Sequence, residues 1–116
     1  MVALASTIRL YLNDGKGKFG LSDGGGALPE VMESGSCVVA ADYDGDGDLD
    51  LFVGGRIIPG EYPMAPSSHL LRNDSKEGRV QFVDVTSEAA PALQNLGMVT
   101  SALWSDVNGD GDSDLL

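Results

Sequence analysis

The chain has 116 residues, of which 42% are hydrophobic and 22% are charged. This composition is typical of one modest globular domain and excludes disorder along the whole chain. The net charge of −11 argues against nucleic acid and anionic membrane surfaces as partners. No apolar run reaches the roughly 18 residues of a membrane span. The opening segment "MVALASTIRL" lacks the charged region and long apolar core of a signal peptide, so none is predicted.

The predicted elements are short β-strands. In "TIRLYLN", Ile8, Leu10 and Leu12 alternate on one face with a period of two. Four later segments are short and rich in β-branched or aromatic residues, as strands are: "CVVAAD", "LDLFVGG", "SHLLRN" and "RVQFVDVT". "SEAAPALQNLG" can hold one helical turn, which Pro91 limits. The sequence therefore predicts an all-β, mostly antiparallel fold.

The chain also repeats itself. "DYDGDGDLDL" at 42–51 returns as "DVNGDGDSDL" at 106–115, and "RLYLNDGKGKF" at 9–19 resembles "HLLRNDSKEGRVQF" at 69–82. The two offsets define a repeat of about 60–64 residues over nearly the whole chain. The phase of this repeat predicts three parts: the closing half of a first unit at 1–35, a complete unit at 36–97 and the opening half of a next unit at 98–116.

Nine of the eighteen acidic residues lie in two nine-residue loops, 42–50 and 106–114. Carboxylates at loop positions 1, 3 and 5 converge if the chain curls tightly, and the glycines at position 6, Gly47 and Gly111, permit the reversal because glycine tolerates a positive φ. Hard oxygen ligands in this number suit Ca²⁺, whereas Mg²⁺ demands stricter geometry and Zn²⁺ prefers His and Cys. Two bound divalent cations would bring the formal charge from −11 to about −7.

The expected metal ligands are the side chains of Asp42, Asp44, Asp46 and Asp50 with the carbonyl of Asp48, and in the second loop those of Asp106, Asn108, Asp110 and Asp114 with the carbonyl of Asp112. Asn108 replaces a carboxylate, so the second site carries one fewer negative charge and is expected to bind more weakly.

The loop sequences disfavour two other interpretations. Asp-Gly clusters also form plain solvated turns, but two carboxylates about 5 Å apart repel by about 3 kcal/mol at an effective dielectric near 20. Their convergence without a cation is therefore unfavourable. An EF-hand needs an acid at position 12 of the loop; Val53 stands there, and a strand follows rather than a helix.

The pattern D-x-[DN]-x-D-G-x-x-D between two strands, repeated at about 60 residues, resembles the FG-GAP/VCBS repeat. That family forms the β-propeller of integrin α subunits and of many bacterial extracellular proteins, with one four-stranded antiparallel blade per repeat. The resemblance implies about two blade equivalents here, Ca²⁺ in the loops, an extracellular or cell-surface location, and a non-catalytic structural or cell-adhesion role with a protein or carbohydrate ligand. The chain departs from the family in lacking a clean Gly-Ala-Pro after Phe19-Gly20.

Two alternatives to that role remain open. A propeller segment of an extracellular hydrolase or lyase would need a basic residue beside the acidic loops, and Arg56, after "LFVGG", is the first to test. A self-assembling structural fragment is the other alternative, because the two half units suggest that the end of one chain completes a blade with the start of the next, head to tail.

Overall fold

The computed structural model describes residues 8–22 and 26–116. Within these residues, eight strands form three separate antiparallel sheets, and the helical content is one short helix and one 3-10 turn. The strands are β1 (Tyr11–Asn13), β2 (Phe19–Leu21), β3 (Ser34–Ala41), β4 (Asp50–Ile57), β5 (His69–Asn73), β6 (Phe82–Asp84), β7 (Trp104–Ser105) and β8 (Asp114–Leu115). The prediction of an all-β, antiparallel fold is confirmed.

The helical turn predicted before Pro91 is helix α1 (Thr86–Ala89), and Pro91 begins the 3-10 turn that ends at Leu93. In the described part of the chain, no helix has the length and apolar character needed to cross a bilayer. Most of the segment considered for a signal peptide, residues 1–7, lies outside the described residues, as do residues 23–25 of the glycine-rich loop that follows β2.

The four strands β3–β4–β5–β6 pair in chain order and form the central sheet. Its longest ladder joins β3 to β4, from Ala41 opposite Asp50 outward to Ser34 opposite Ile57, with irregularities near Gly35. The connection between these two strands is the first acidic loop. The pairing of Ala41 with Asp50 therefore fixes where the loop begins and ends.

Two smaller hairpins repeat parts of the central sheet. The closing hairpin, β1–β2, pairs Asn13 with Phe19, as β5–β6 pairs Asn73 with Phe82. The opening hairpin, β7–β8, pairs Ser105 with Asp114, as β3–β4 pairs Ala41 with Asp50. The sequence repeat is thus a structural repeat of hairpins in the same register. The predicted unit boundaries at 35/36 and 97/98 stay a prediction.

The two hairpins pack on opposite faces of the central sheet. One face carries the buried cluster of Val53, Leu71 and Phe82, against which Ile8 and Leu10 of the closing segment pack. The next residue of β4, Gly54, points to the other face because side chains alternate along a strand. A Cβ built on Gly54 would lie 2.9 Å from Cγ1 of Val99, in the segment that leads into β7.

Trp104 of β7 also contacts the central sheet. Its indole Nε1 donates a hydrogen bond to the carbonyl oxygen of Val39 in β3 at 3.4 Å, and the side chain is half-buried. This position favours packing of Trp104 between neighbouring units over a role as an exposed platform for sugars.

Candidate metal-binding site

Asp42 organises the first acidic loop from its first position. Its Oδ1 accepts hydrogen bonds from the backbone N–H groups of Gly45 (2.8 Å) and Asp46 (3.1 Å), and its Oδ2 accepts one from Gly47 (2.9 Å). Aspartate is suited to this role because its short carboxylate reaches the backbone two to five residues ahead. The chain therefore curls around this one side chain.

The two glycines of the loop permit that curl. Gly45 has φ 76° and Gly47 has φ 94°, values in the left-handed region where a side chain brings a steric penalty. The alternation of aspartate and glycine in the sequence thus has a local cause: the acids accept the N–H groups, and the glycines make the turns.

Asp50, the last acid of the loop, is the first residue of β4 and has no exposed surface. Its Oδ1 accepts the N–H of Asn73 in β5 at 2.7 Å, and its Oδ2 accepts the N–H of Tyr43 at 3.3 Å. Burial raises the pKa of Asp50 above its ordinary value, partly offset by these two hydrogen bonds, and the charges of Asp44 and Asp46 raise it further. The side chain is a buried carboxylate among other carboxylates, an arrangement that a cation would stabilise.

Three of the five acids of the first loop converge. One carboxylate oxygen from each of Asp42, Asp44 and Asp50 lies within 4.8 Å of the others. Asp46 instead accepts the N–H of Asp48 through its Oδ1 at 2.9 Å, and Asp48 is exposed. The convergence matches the donor chemistry of a hard divalent cation, which takes several carboxylate and carbonyl oxygens.

The second acidic loop has the same internal hydrogen bonds. Asp106 accepts the N–H groups of Gly109 (2.7 Å), Asp110 (3.1 Å) and Gly111 (2.9 Å). Gly109 and Gly111 have φ values of 77° and 94°. Asp114 accepts the N–H of Val107 through its Oδ2 at 3.0 Å, as Asp50 accepts that of Tyr43. Two loops 64 residues apart therefore adopt one geometry.

The loops differ at their third position. Asn108 stands where the first loop has Asp44, so the matching group of three carboxylates does not exist in the second loop. The Asn108 amide nitrogen donates to Asp110 Oδ2 at 2.8 Å. Hydrogen bonds from the backbone of Gly111, Gly109 and Asp110 hold the pKa of Asp106 below its ordinary value. Asp110 Oδ1 accepts the N–H of Asp112 at 2.9 Å, the counterpart of the Asp46–Asp48 bond.

Arg72 is a basic residue near the first loop that sequence reasoning missed. Its guanidinium binds both oxygens of Asp74, at 2.7 and 3.0 Å, and this pairing raises the pKa of Arg72 and lowers that of Asp74. Arg72 also interacts electrostatically with Tyr43 and Asp44. Arg72 directly precedes Asn73, whose N–H binds Asp50. Its position near the loop follows from the β4–β5 register, which the sequence alone does not specify.

His69 lies in a separate cluster of titratable groups. Its Nδ1 is 2.8 Å from Asp84 Oδ2 and its Nε2 is 3.0 Å from Glu33 Oε2. The other oxygen of Asp84 accepts hydrogen bonds from the N–H and the hydroxyl of Thr86. Both ring nitrogens of His69 are thus within hydrogen-bond distance of carboxylates. The cluster ties the segment before β3 to β5 and β6.

The fold and the loops together define a β-propeller-type repeat module: antiparallel hairpins in a repeated register, with an acidic loop between two strands of the unit. A family model described as an FG-GAP-like repeat matches residues 1–53, a range that covers the closing hairpin, the first acidic loop and the start of β4. The predicted resemblance to this family is therefore confirmed over residues 1–53. No curated protein and no solved structure matches the chain.

Proposed function

We propose that the chain is a calcium-binding β-propeller repeat module. The observation that carries the proposal is the convergence of Asp42, Asp44 and Asp50, with carboxylate oxygens within 4.8 Å of one another. Three carboxylates at this separation repel each other strongly, because each pair contributes about 3 kcal/mol at an effective dielectric near 20. A divalent cation between them attracts all three carboxylates, which makes the total electrostatic energy of the group favourable.

Calcium fits the donor set better than the other common divalent cations. Every candidate ligand atom is an oxygen, and Cys37 and His69 lie outside the loops, which disfavours zinc. Ca²⁺ accepts six to eight oxygens in a flexible geometry, whereas Mg²⁺ requires a near-ideal octahedron. The side chains of Asp46 and Asp110 and the carbonyls of Asp48 and Asp112 are the remaining ligands of the proposed shells.

The bound ion would join β3 to β4 and β7 to β8. In the first loop it would also connect to β5, since Asp50 accepts the N–H of Asn73. At a calcium concentration ten times Kd, one site adds about 1.4 kcal/mol to the free energy of unfolding. Extracellular calcium modules have Kd values of about 10⁻⁴–10⁻³ M, so the proposal places the module outside the cell or on its surface.

The module's role is structural or recognitional, with a protein or carbohydrate ligand, and non-catalytic. This part of the proposal is supported by the FG-GAP-like match and by the contacts of two basic residues of β5 with carboxylates. Arg72 is bound by Asp74, and His69 is held by Asp84 and Glu33.

A matched pair of alanine variants tests the calcium site. Asp44→Ala removes one of the three converging carboxylates and only one loop hydrogen bond, to the N–H of Asp46 (3.2 Å). Asp48→Ala removes an equal charge from the same loop but retains the carbonyl assigned as a ligand. We expect Asp44→Ala to weaken calcium binding at the first loop by at least about tenfold, or about 1.4 kcal/mol, and Asp48→Ala to retain binding close to that of the unmodified chain.

The readout is the melting temperature in millimolar calcium and in excess chelator. The unmodified chain and Asp48→Ala are expected to melt at higher temperature with calcium, whereas Asp44→Ala loses the share of the shift that the first loop provides. Equal calcium-induced shifts in the two variants would contradict the assignment of ligands in the first loop. If the melting temperature of the unmodified chain is the same in calcium and in chelator, the proposed function is wrong.

A further inference from the structure

One segment, residues 27–33, crosses the central sheet from edge to edge and is named the crossing segment. The carbonyl oxygen of Ala27 accepts the N–H of Phe82 in β6 at 2.8 Å, and the segment leads into β3 at Ser34. Since β3 and β6 are the two edge strands of the sheet, the crossing segment passes over it. Leu28 packs against the buried cluster of the sheet, so the segment lies on the buried face.

His69 fastens the far end of the crossing segment to that face. It is the only histidine in the chain, and it lies on the buried face because it pairs with Val53 of β4. Its Nε2 is 3.0 Å from Oε2 of Glu33, the last residue of the crossing segment, and its Nδ1 is 2.8 Å from Oδ2 of Asp84 in β6. The side chains of His69, Glu33 and Asp84 are 16%, 13% and 33% exposed, so water screens their charges only in part.

Carboxylates on both sides of the ring fit a doubly protonated imidazole. An ionised carboxylate has only acceptor oxygens, and a ring nitrogen donates only when it carries a proton. Burial alone would raise the pKa of Asp84, but hydrogen bonds from Thr86 and His69 outweigh burial and hold the pKa below its ordinary value. With both ring nitrogens donating, His69 is an imidazolium that joins two carboxylates through charge-assisted hydrogen bonds.

A neutral ring would hold only one of the two carboxylates. Its single N–H donates to one of them, and the other nitrogen then presents a lone pair to the second, which is repulsive. Asp84 has further hydrogen bonds, from the N–H and the hydroxyl of Thr86, and lies opposite Leu71 in the β5–β6 ladder. Among the described residues, the Glu33 side chain has a hydrogen bond to His69 alone. Loss of one ring proton therefore releases Glu33 rather than Asp84.

The start of β3, next to Glu33, is weakly held by the sheet. The β3–β4 ladder is irregular on both sides of Gly35, and Met32, the residue before Glu33, is 76% exposed. Backbone pairing and apolar burial therefore contribute little at this point, so the contact of Glu33 with His69 has a large share in fixing the end of the crossing segment.

A polar cavity of about 160 Å³ beside the ring allows the proton to leave without unfolding of the sheet, because it has room for water. Helix α1 also packs on β5; its charged residue, Glu88, is exposed and does not line the cavity. Within the described part of the chain, Glu33 and Asp84 are the charged groups that face the ring. The other residues that line the cavity are uncharged: Ser67, Ser68, Thr86, Ser87 and Gln94.

We propose that His69 is a pH-sensitive clasp: with both ring protons it fastens the crossing segment to β5 and β6, and loss of one proton releases Glu33 and the start of β3. Histidine ordinarily changes its charge between about pH 5 and pH 8. The stability that the clasp contributes is present in mildly acidic solution and is lost as the pH rises, because the charged ring is the form that makes both contacts. The inference goes beyond calcium binding, since the three residues lie outside both acidic loops.

Two substitutions at Glu33 separate the clasp from an ordinary surface contact. Glu33→Ala removes the acceptor, so the end of the crossing segment should be released at every pH. Glu33→Gln is the matched variant that should stay fastened, because its amide oxygen accepts from a protonated Nε2 and its amide N–H donates to a deprotonated one. Neither substitution changes Asp84 or the acidic loops.

Nuclear magnetic resonance of the isotope-labelled chain, in excess calcium at about pH 6 and about pH 8.5, reports on the ring and on the segment together. The single histidine gives one set of ring signals, which shows how many of its nitrogens carry a proton at each pH. The backbone amides of residues 34–37 at the start of β3 report release through their protection from hydrogen exchange, corrected for the pH dependence of the intrinsic exchange rate.

For the unmodified chain, we expect two ring protons at the lower pH and at least about tenfold weaker protection of residues 34–37 at the higher pH, the factor that a hydrogen bond to a charged group provides. Glu33→Gln should show equal protection at both pH values, and Glu33→Ala weak protection at both. A ring with one proton at the lower pH, protection in the unmodified chain that does not change with pH, or the same loss in Glu33→Gln as in the unmodified chain would overturn the proposal.

Discussion

Replacing Asp50 with alanine is expected to lower the free energy of unfolding by about 2–4 kcal/mol. The carboxylate is fully buried and accepts the N–H groups of Tyr43 and Asn73. Its loss leaves two donors without an acceptor, and each unsatisfied buried donor costs about 1–3 kcal/mol. Relief of repulsion from Asp44 offsets part of this cost. The measurement is urea denaturation in excess chelator, which separates the structural role of Asp50 from its role toward calcium.

Two further variants make the Asp50 prediction sharper. Asp48→Ala is the control, because the Asp48 side chain is exposed, and it should unfold at nearly the same urea concentration as the unmodified chain. Asp50→Asn retains one acceptor oxygen, so it should lose less stability than Asp50→Ala in chelator while losing the calcium-induced gain. Indistinguishable urea midpoints for Asp50→Ala and Asp48→Ala would show that Asp50 does not connect the loop to β5.

Gly55→Ala is expected to destabilise the chain by about 3 kcal/mol or more. A Cβ at this position would lie 2.0 Å from the backbone oxygen of Ser67, and a backbone atom cannot move aside without shifting its segment. Overpacking of a filled site costs about 1–3 kcal/mol and more when the backbone must shift. The same backbone carries bonds from Gly55 N–H to the Ser68 hydroxyl and from Val99 N–H to the Gly55 carbonyl. Urea denaturation measures the loss.

Gly35 provides the matched control, since it lies directly opposite Gly55 in the β3–β4 ladder. A Cβ on Gly35 would have its nearest neighbours at 3.7 and 3.9 Å, which is ordinary contact. Gly35→Ala should therefore change the free energy of unfolding by less than about 1 kcal/mol, partly because alanine reduces the freedom of the unfolded chain. If the two variants lose the same free energy of unfolding, the Ser67 backbone does not lie as close to β4 as the structure shows.

The strands could be predicted from sequence because the residue types in them favour extended backbone locally. "CVVAAD", "LDLFVGG" and "SHLLRN" lie within or overlap β3, β4 and β5, and their β-branched and aromatic residues favour extended backbone. The limits of β3 could not be predicted, because it begins at Ser34, where serine and glycine give no such preference. Pairing with β4 extends the strand there. Conversely, the alternation from Ile8 predicts a strand that the structure begins only at Tyr11.

The candidate site divides in the same way between local and long-range causes. The acidic loops could be predicted because their geometry depends on contacts within nine residues. Asp42 accepts the N–H groups of Gly45 and Gly47, and both glycines have a positive φ. The contact from Asp50 to Asn73 spans 23 residues, and that from His69 to Glu33 spans 36. Such contacts depend on the pairing of strands, which a single sequence does not specify. The ten assigned ligand residues stay a prediction until an ion is measured.

Calorimetric titration of calcium into the chelator-stripped chain, with equilibrium dialysis of the same material, tests the presence of an ion among the acids most directly. We predict saturable uptake of about two ions per chain with Kd values of about 10⁻⁴–10⁻³ M, the first loop binding more tightly than the second because it has Asp44 where the second has Asn108. Neither heat nor retained calcium at millimolar concentration would contradict the account.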